Sequence, residues 1–289
     1  MLNLGTPAES VLAAMRRHLR LRTMSQPQAD VFEPLAGLEG VGSAARAARD
    51  AVDVLLRDRG LRKVGSDMTA EALLRGAHAS AALAGSTETL EQVRRGATDP
   101  RAIGAVRMTG ELMALAPRVN TAPVQVWTRL HQLAAAELGS EDQLGHLRTN
   151  QEPLPDDIPG LPEAPPAEVM WERLSGLARA LTRPTNAPGI VVAAIVHAEL
   201  AVLRPFPTAN GLVARAAERA LLVARGIDPV AVTVPEAGHF ELGGSYSQGL
   251  RDYADRGLVG VRDWLLRSCE VVALGAERSP LNISAQQGK

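Results

Sequence analysis

The residues best suited to chemistry sit together in one stretch, Leu203 to Arg215, reading L-R-P-F-P-T-A-N-G-L-V-A-R. Two prolines, a Thr, an Asn and a Gly make this turn chemistry. The stretch separates an apolar run, 190–203, from a second run, 213–224, that repeats Ala, Leu, Val and Arg at helical spacing and stops before Gly226. The spacing predicts helix, tight loop, helix, with Asn210-Gly211 opening the second helix. A helix N-terminus presents backbone N–H groups and the positive end of its dipole, which favour an anion such as phosphate. Arg215, one turn inside, reaches back toward the same anion, and Arg204 adds a second cation at the mouth of the loop. The same composition also suits a plain helix-turn-helix corner that binds nothing, with Arg204 paired to Glu199 or another carboxylate. The residues alone leave both readings open.

The stretch resembles the signature of the Fic (Fido) family, His-x-Phe-x-(Asp/Glu)-Gly-Asn-Gly-Arg-x-x-Arg. Phe206, Asn210, Gly211 and Arg215 match, and Pro205 is the usual companion of that Phe. Arg204 stands at the family's His, Thr208 at its acidic residue, Ala209 at its first Gly and Leu212 at its first Arg. Three further stretches are similar to family segments in order. His78 to Val93 is similar to the segment that contains an inhibitory Glu, here represented by Ser80, Ala84 and Gly85. Gly145, His146, Leu147 and Arg148, with the Pro-rich run to Pro166, are similar to a strand-like flap and the linker after it. Ser245 to Leu250 is similar to a Tyr-containing helix that follows the motif. The likeness covers about residues 70 to 255. It implies an all-α, Fic-like helical bundle with a short β-hairpin flap. The expected organisation is an N-terminal helical region over 1–65, the Fic-like domain over 66–275 and a disordered tail over 276–289.

By that resemblance the activity is transfer of a nucleotidyl group, usually AMP from ATP, to a protein hydroxyl. The motif His is the base, the acidic residue holds Mg²⁺, and the loop backbone and final Arg bind phosphates. A general base must shed its proton near neutral pH, and the guanidinium of Arg204 does not. The hydroxyl of Thr208 is a poor substitute for a carboxylate on Mg²⁺. Ala209 is costly if its φ is positive. Leu212 removes a cation. A general base alone is worth roughly 10²–10⁴-fold, so ordinary AMP transfer is expected to be absent or very slow. What survives is an anion or nucleotide cradle of Arg204, Phe206, Thr208, Asn210, Gly211 and Arg215, with ATP or another nucleotide or phosphate as its ligand class and no Mg²⁺ held as in the family. Ala84 at the inhibitory Glu position removes the ion pair that Glu makes with the second motif Arg. The local sequence there is equally that of a helix C-terminus with a Gly cap. Three functions follow as expectations: a degenerate Fic-type pseudoenzyme acting as a binding or regulatory module; a transferase or lyase with altered phosphate chemistry on the same scaffold; or a protein-interaction helical protein, as a homodimer or with a protein target.

Composition narrows the classes. The 31 Lys and Arg balance 32 Asp and Glu, so no basic field points to nucleic acid. The single cysteine, Cys269, excludes an intrachain disulfide and a Cys-type zinc site, and no HExxH-type pairing links the six His. The N-terminal stretch carries no apolar signal core, and the most apolar run, 188–203, is broken by His197 and Glu199 and too short for a bilayer. No membrane partner and a cytoplasmic location are expected.

The elements that must position the loop read as helices: about 6–21, 43–59, 66–83, 99–116, 121–138, 167–181, 190–203, 213–224, 245–256 and 258–275. Thr6-Pro7-Ala8-Glu9 makes a capped start for the first, which is basic and amphipathic. Val230 to Val234 alternates as a short strand does. Gly238, Gly243 and Gly244 read as loop, and 139–166 as an extended segment or linker. His131 lies on an apolar helix face, the place of a hydrogen-bonded core histidine.

Overall fold

The computed structural model describes residues 30–58, 61–151, 154, 158 and 160–282. The first predicted helix, the start of the loop after it and residues 283–289 of the tail lie outside these. Among the described residues the chain is helical throughout, without a β-strand.

The helices run in order: α1 Glu33–Ala36, α2 Val41–Leu56, α3 Leu61–Leu83, α4 Leu90–Gly96, α5 Pro100–Leu115, α6 Pro123–Ala135, α7 Ala167–Leu181, α8 Gly189–Leu203, α9 Asn210–Ala224, α10 Pro235–Glu241, α11 Ser245–Asp255 and α12 Gly257–Glu277. Short 3₁₀ turns follow α5 (Ala116–Arg118) and α6 (Glu141–Gln143). Start signals operate as the sequence suggests: Asp99 accepts from the Arg101 N–H ahead of Pro100, and Thr89 closes a capping box with Gln92.

α8 is the centre. It is apolar on every face, and thirteen of its fifteen residues, Ile190 through Leu203 except Glu199, are buried. A helix of that kind must be surrounded, and α8 lies against α7, α9, α11 and α12. α9 carries the packing outward to α3, α5 and α6, and α12 carries it to α2, α10 and α11. The core therefore runs continuously from Val41, Val52 and Leu55 of α2 to Trp264 and Leu265 of α12.

Several elements differ from the sequence reading, which places no helix at α1 or α4. The predicted strand at 230–234 is irregular, because Asp228 captures the N–H groups of Val232 and Thr233 and the Thr233 hydroxyl. The β-hairpin flap is absent among the described residues: 146–149 have no regular structure, and the Arg148 N–H donates to Pro205 O of the motif loop. Gly238 sits inside α10, not in a loop. A Cβ there would stand 2.5 Å from Val271 O, so this glycine is a point of close helix approach to α12. The chain past Glu277 stays packed to 282, with Leu281 buried.

Two glycines of α5 give opposite expectations. A Cβ on Gly104 would clash with Ala134 O of α6, whereas one on Gly110 meets nothing within 4 Å. Gly104→Ala is expected to cost about 1–3 kcal/mol by overpacking, and Gly110→Ala to add about 0.5–1 kcal/mol through helix propensity. Urea midpoints at unchanged m-value measure both.

Candidate functional site

The chain leaves α8 at Arg204, whose φ of 45° is left-handed, and enters α9 from Ala209, at φ 57°. For a non-glycine residue that backbone costs on the order of 1–2 kcal/mol, so the Ala at the family's first Gly position is a strained substitution. Asn210 holds the loop between them. Its side-chain Oδ1 accepts from the Phe206 N–H and its Nδ2 donates to Phe206 O, both at 2.9 Å. An amide side chain offers a donor and an acceptor on separate atoms, which that double closure uses. Phe206 is buried and stacks flat on His131, with centroids 4.4 Å apart and planes 6° from parallel. Nδ1 of His131 accepts from the Gly145 N–H at 2.9 Å. Burial pushes His131 down to about 4 against a backbone contact from Thr208, with His146 adding to the depression. Thr208 is half-buried, with its methyl facing Gly139.

Of the flap candidates, His146 closes a turn by donating its N–H to Gln143 O, and Leu147 packs against the core. Arg148 is buried and joins the loop: its Nε donates to Arg204 O at 2.7 Å, and its Nη2 donates to Leu203 O and to Pro165 O. Arg204 does not pair with Glu199, which is held by Arg173 at 2.7 Å and by the Tyr253 hydroxyl at 2.7 Å. Its Nη2 donates instead to Pro162 O.

Arg215 is held from the α3 and α11 sides. Its Nε donates to Ser80 Oγ and its Nη2 to Ser80 O, each at 2.8 Å, and its Nη1 donates to Tyr246 Oη at 3.1 Å. With 1% of its surface exposed it is an interior residue. Ser80 lies in the last turn of α3, which ends in a glycine cap: Gly85 is at φ 93° and the Ser86 N–H reaches Ala81 O. The guanidinium thus donates to one helix-end carbonyl, Ser80 O, and sits where the α3 dipole favours a cation. Ala84, half-buried beside this turn, offers no carboxylate.

No family model matches the sequence, and no curated protein matches it. Among solved structures, a Fic family protein from Desulfovibrio desulfuricans G20 superposes with a TM-score of 0.66 at 20% identity, over 87% of this chain and 76% of that one. Fic-1 (residues 134–508) from C. elegans gives a TM-score of 0.64 at 17% identity, over 90% of this chain and 76% of that one. This chain has the Fic fold. Here the loop is a corner between α8 and α9, where Asn210 closes on Phe206 and Arg215 Nη1 lies beside Gly211. Gly211 is buried with little room above it: a Cβ would stand 3.0 Å from Ile158 Cγ1 and 3.2 Å from Arg215 Nη1.

A second buried cluster adjoins Arg215 and was not foreseen. Glu218, one turn further along α9, has its Oε2 at 2.6 Å from His197 Nδ1 and 3.0 Å from His239 Nε2. Nε2 of His197 lies 2.9 Å from the Tyr246 hydroxyl that receives Arg215. Burial works against a charged Glu218, but the two histidines outweigh it and hold the carboxyl well below its usual range. A carboxylate only accepts, so His197 carries its proton on Nδ1 and His239 on Nε2. Burial drives His239 down to about 4, against the attraction of Glu218. The three ligand-type atoms lie within 4.8 Å of one another. Their 2.6 and 3.0 Å separations are hydrogen-bond lengths, shorter than the ~3.3 Å between ligands around a tetrahedral ion with bonds of about 2.0 Å. The cluster is built as a hydrogen-bonded relay from Glu218 to Arg215. Its sequence signal was a His inside the apolar run 190–203 and a Glu inside an Ala/Leu-rich helix, polar residues that burial must pair.

Ser80→Ala and Tyr246→Phe are each expected to cost about 1–3 kcal/mol, since each strips an acceptor from a buried guanidinium. An exposed helical Ser→Ala change is neutral or favourable, so denaturant midpoints separate the two situations. Acid should also act on the buried histidines. The unfolded chain takes up a proton near pH 6.5 while His131 and His239 resist it to about 4. Stability should therefore fall as pH drops from 6.5 toward 4, by up to about 3 kcal/mol per histidine. His131→Gln should flatten that slope in urea titrations repeated across the window.

Proposed function

We propose that this Fic-fold protein does not transfer AMP at a useful rate and works as a binding or regulatory module built on the scaffold. The observation that carries the reading is Arg204 at the position of the family's base. A guanidinium stays protonated and accepts no proton from a hydroxyl nucleophile, and here it donates to Pro162 O. Two further features support it. Thr208 supplies no carboxylate for a metal ion, and Arg215, the remaining phosphate-binding candidate, already donates to Ser80 and Tyr246. The ligand class compatible with the loop is a nucleotide or other phosphate, and the partner class is a protein target or a second copy of the chain.

The test is incubation of the purified protein with α-labelled ATP, Mg²⁺ and Mn²⁺, alone and with lysate proteins, followed by intact-mass and gel detection of AMP adducts. No adduct above background is expected, on the protein itself or on others. Catalytic labelling that multiplies with time beyond one equivalent would overturn the reading.

A further inference from the structure

The Pro-rich segment ahead of α7 lies across the motif loop, and three arginines hold it there. Arg204 donates to Pro162 O, Arg148 to Pro165 O, and Arg251 to Gly160 O at 3.0 Å. Arg148 grips both sides, because the same side chain donates to Arg204 O and Leu203 O of the loop. At the near end Ile158, 2% exposed, places Cγ1 and Cδ1 at 3.0 and 3.3 Å from where a Gly211 Cβ would stand, over the first turn of α9. Prolines suit this arrangement. They restrict the segment to extended backbone at low entropic cost and lack N–H donors, so its carbonyls are the groups a cation can hold.

We propose that Ile158 and residues 160–166 form a built-in strap that closes the first turn of α9, and that Arg204 is its clasp. The substitution at 204 then has a positive role: a residue that cannot act as a base ties an internal segment over the place where an anion would approach the α9 amides. The inference rests on the reading of this loop as a non-catalytic cradle and adds that the cradle is covered by the chain itself. Lifting the strap exposes the turn, and a di- or triphosphate is the chemical class that would take its place.

Two variants test it. Arg204→Asn keeps a residue that tolerates the left-handed backbone but cannot reach Pro162, and Ile158→Ala removes the plug. Hydrogen exchange of peptides spanning 206–212 should speed up by about tenfold or more in each, with far-UV circular dichroism unchanged. Tripolyphosphate should raise the melting temperature of both variants and leave that of the parent protein unmoved. Exchange in both variants as slow as in the parent would sink the strap, and so would an equal tripolyphosphate shift in all three proteins. If Ile158→Ala fails to fold, Arg204→Asn decides alone. AMP transfer by the parent protein would instead overturn the functional reading, so the two failures are distinguishable.

Discussion

A guanidinium cannot lose its proton inside a protein, so wherever it is buried it dictates what surrounds it. Arg215 imposes that constraint here. It is almost fully enclosed, and the end of α3, the hydroxyl of Tyr246 on α11 and the helix that bears it are arranged around its donors. Through Tyr246 the constraint passes to His197 on α8, then to Glu218 on α9 and His239 on α10. Five helices thus meet around one charge, and a buried carboxylate one turn along the same helix is joined to it by a chain of hydrogen bonds. Removing any single member leaves a polar group without its partner in a low-dielectric interior, the most costly kind of vacancy.

This explains why some signature positions match while others do not. Asn210 closes the loop on Phe206, and Phe206 stacks on His131. At Gly211 a Cβ would press on the side chains of Ile158 and Arg215, which would have to yield by a few tenths of an ångström. These residues hold a shape that the corner between two central helices requires whatever the loop does. The positions that depart from the signature are 204, 208, 209 and 212.

Much of the fold was legible because its signals are local. Capping residues, Pro at helix starts and an apolar run with helical length place α5, α7, α8 and α9 closely, and the Fic resemblance follows from four residues and three flanking segments. Most of the misreadings turn on contacts between segments remote in sequence, and one on a local side-chain capture. Gly238 reads as a loop residue until the backbone of α12 is seen against it. Residues 230–234 alternate like a strand, yet Asp228 captures their N–H groups before any partner strand exists. The inward turn of Arg215 could not be read either, because its acceptor Ser80 lies 135 residues away in the chain. Nor could the fate of Arg204, since choosing Pro162 over Glu199 depends on Arg173 and Tyr253 having already engaged that carboxylate.

The central claim is that Arg215 belongs to the interior rather than to a ligand. Nitrogen-15 NMR of the arginine side chains reads this directly, with Arg215 assigned by difference from an Arg215→Lys sample. A guanidinium held by Ser80 and Tyr246 should give slowly exchanging, resolved Nε–H and Nη–H signals that do not move when millimolar ATP is added. Rapid solvent exchange at Arg215, or signals that titrate with ATP, would contradict the account.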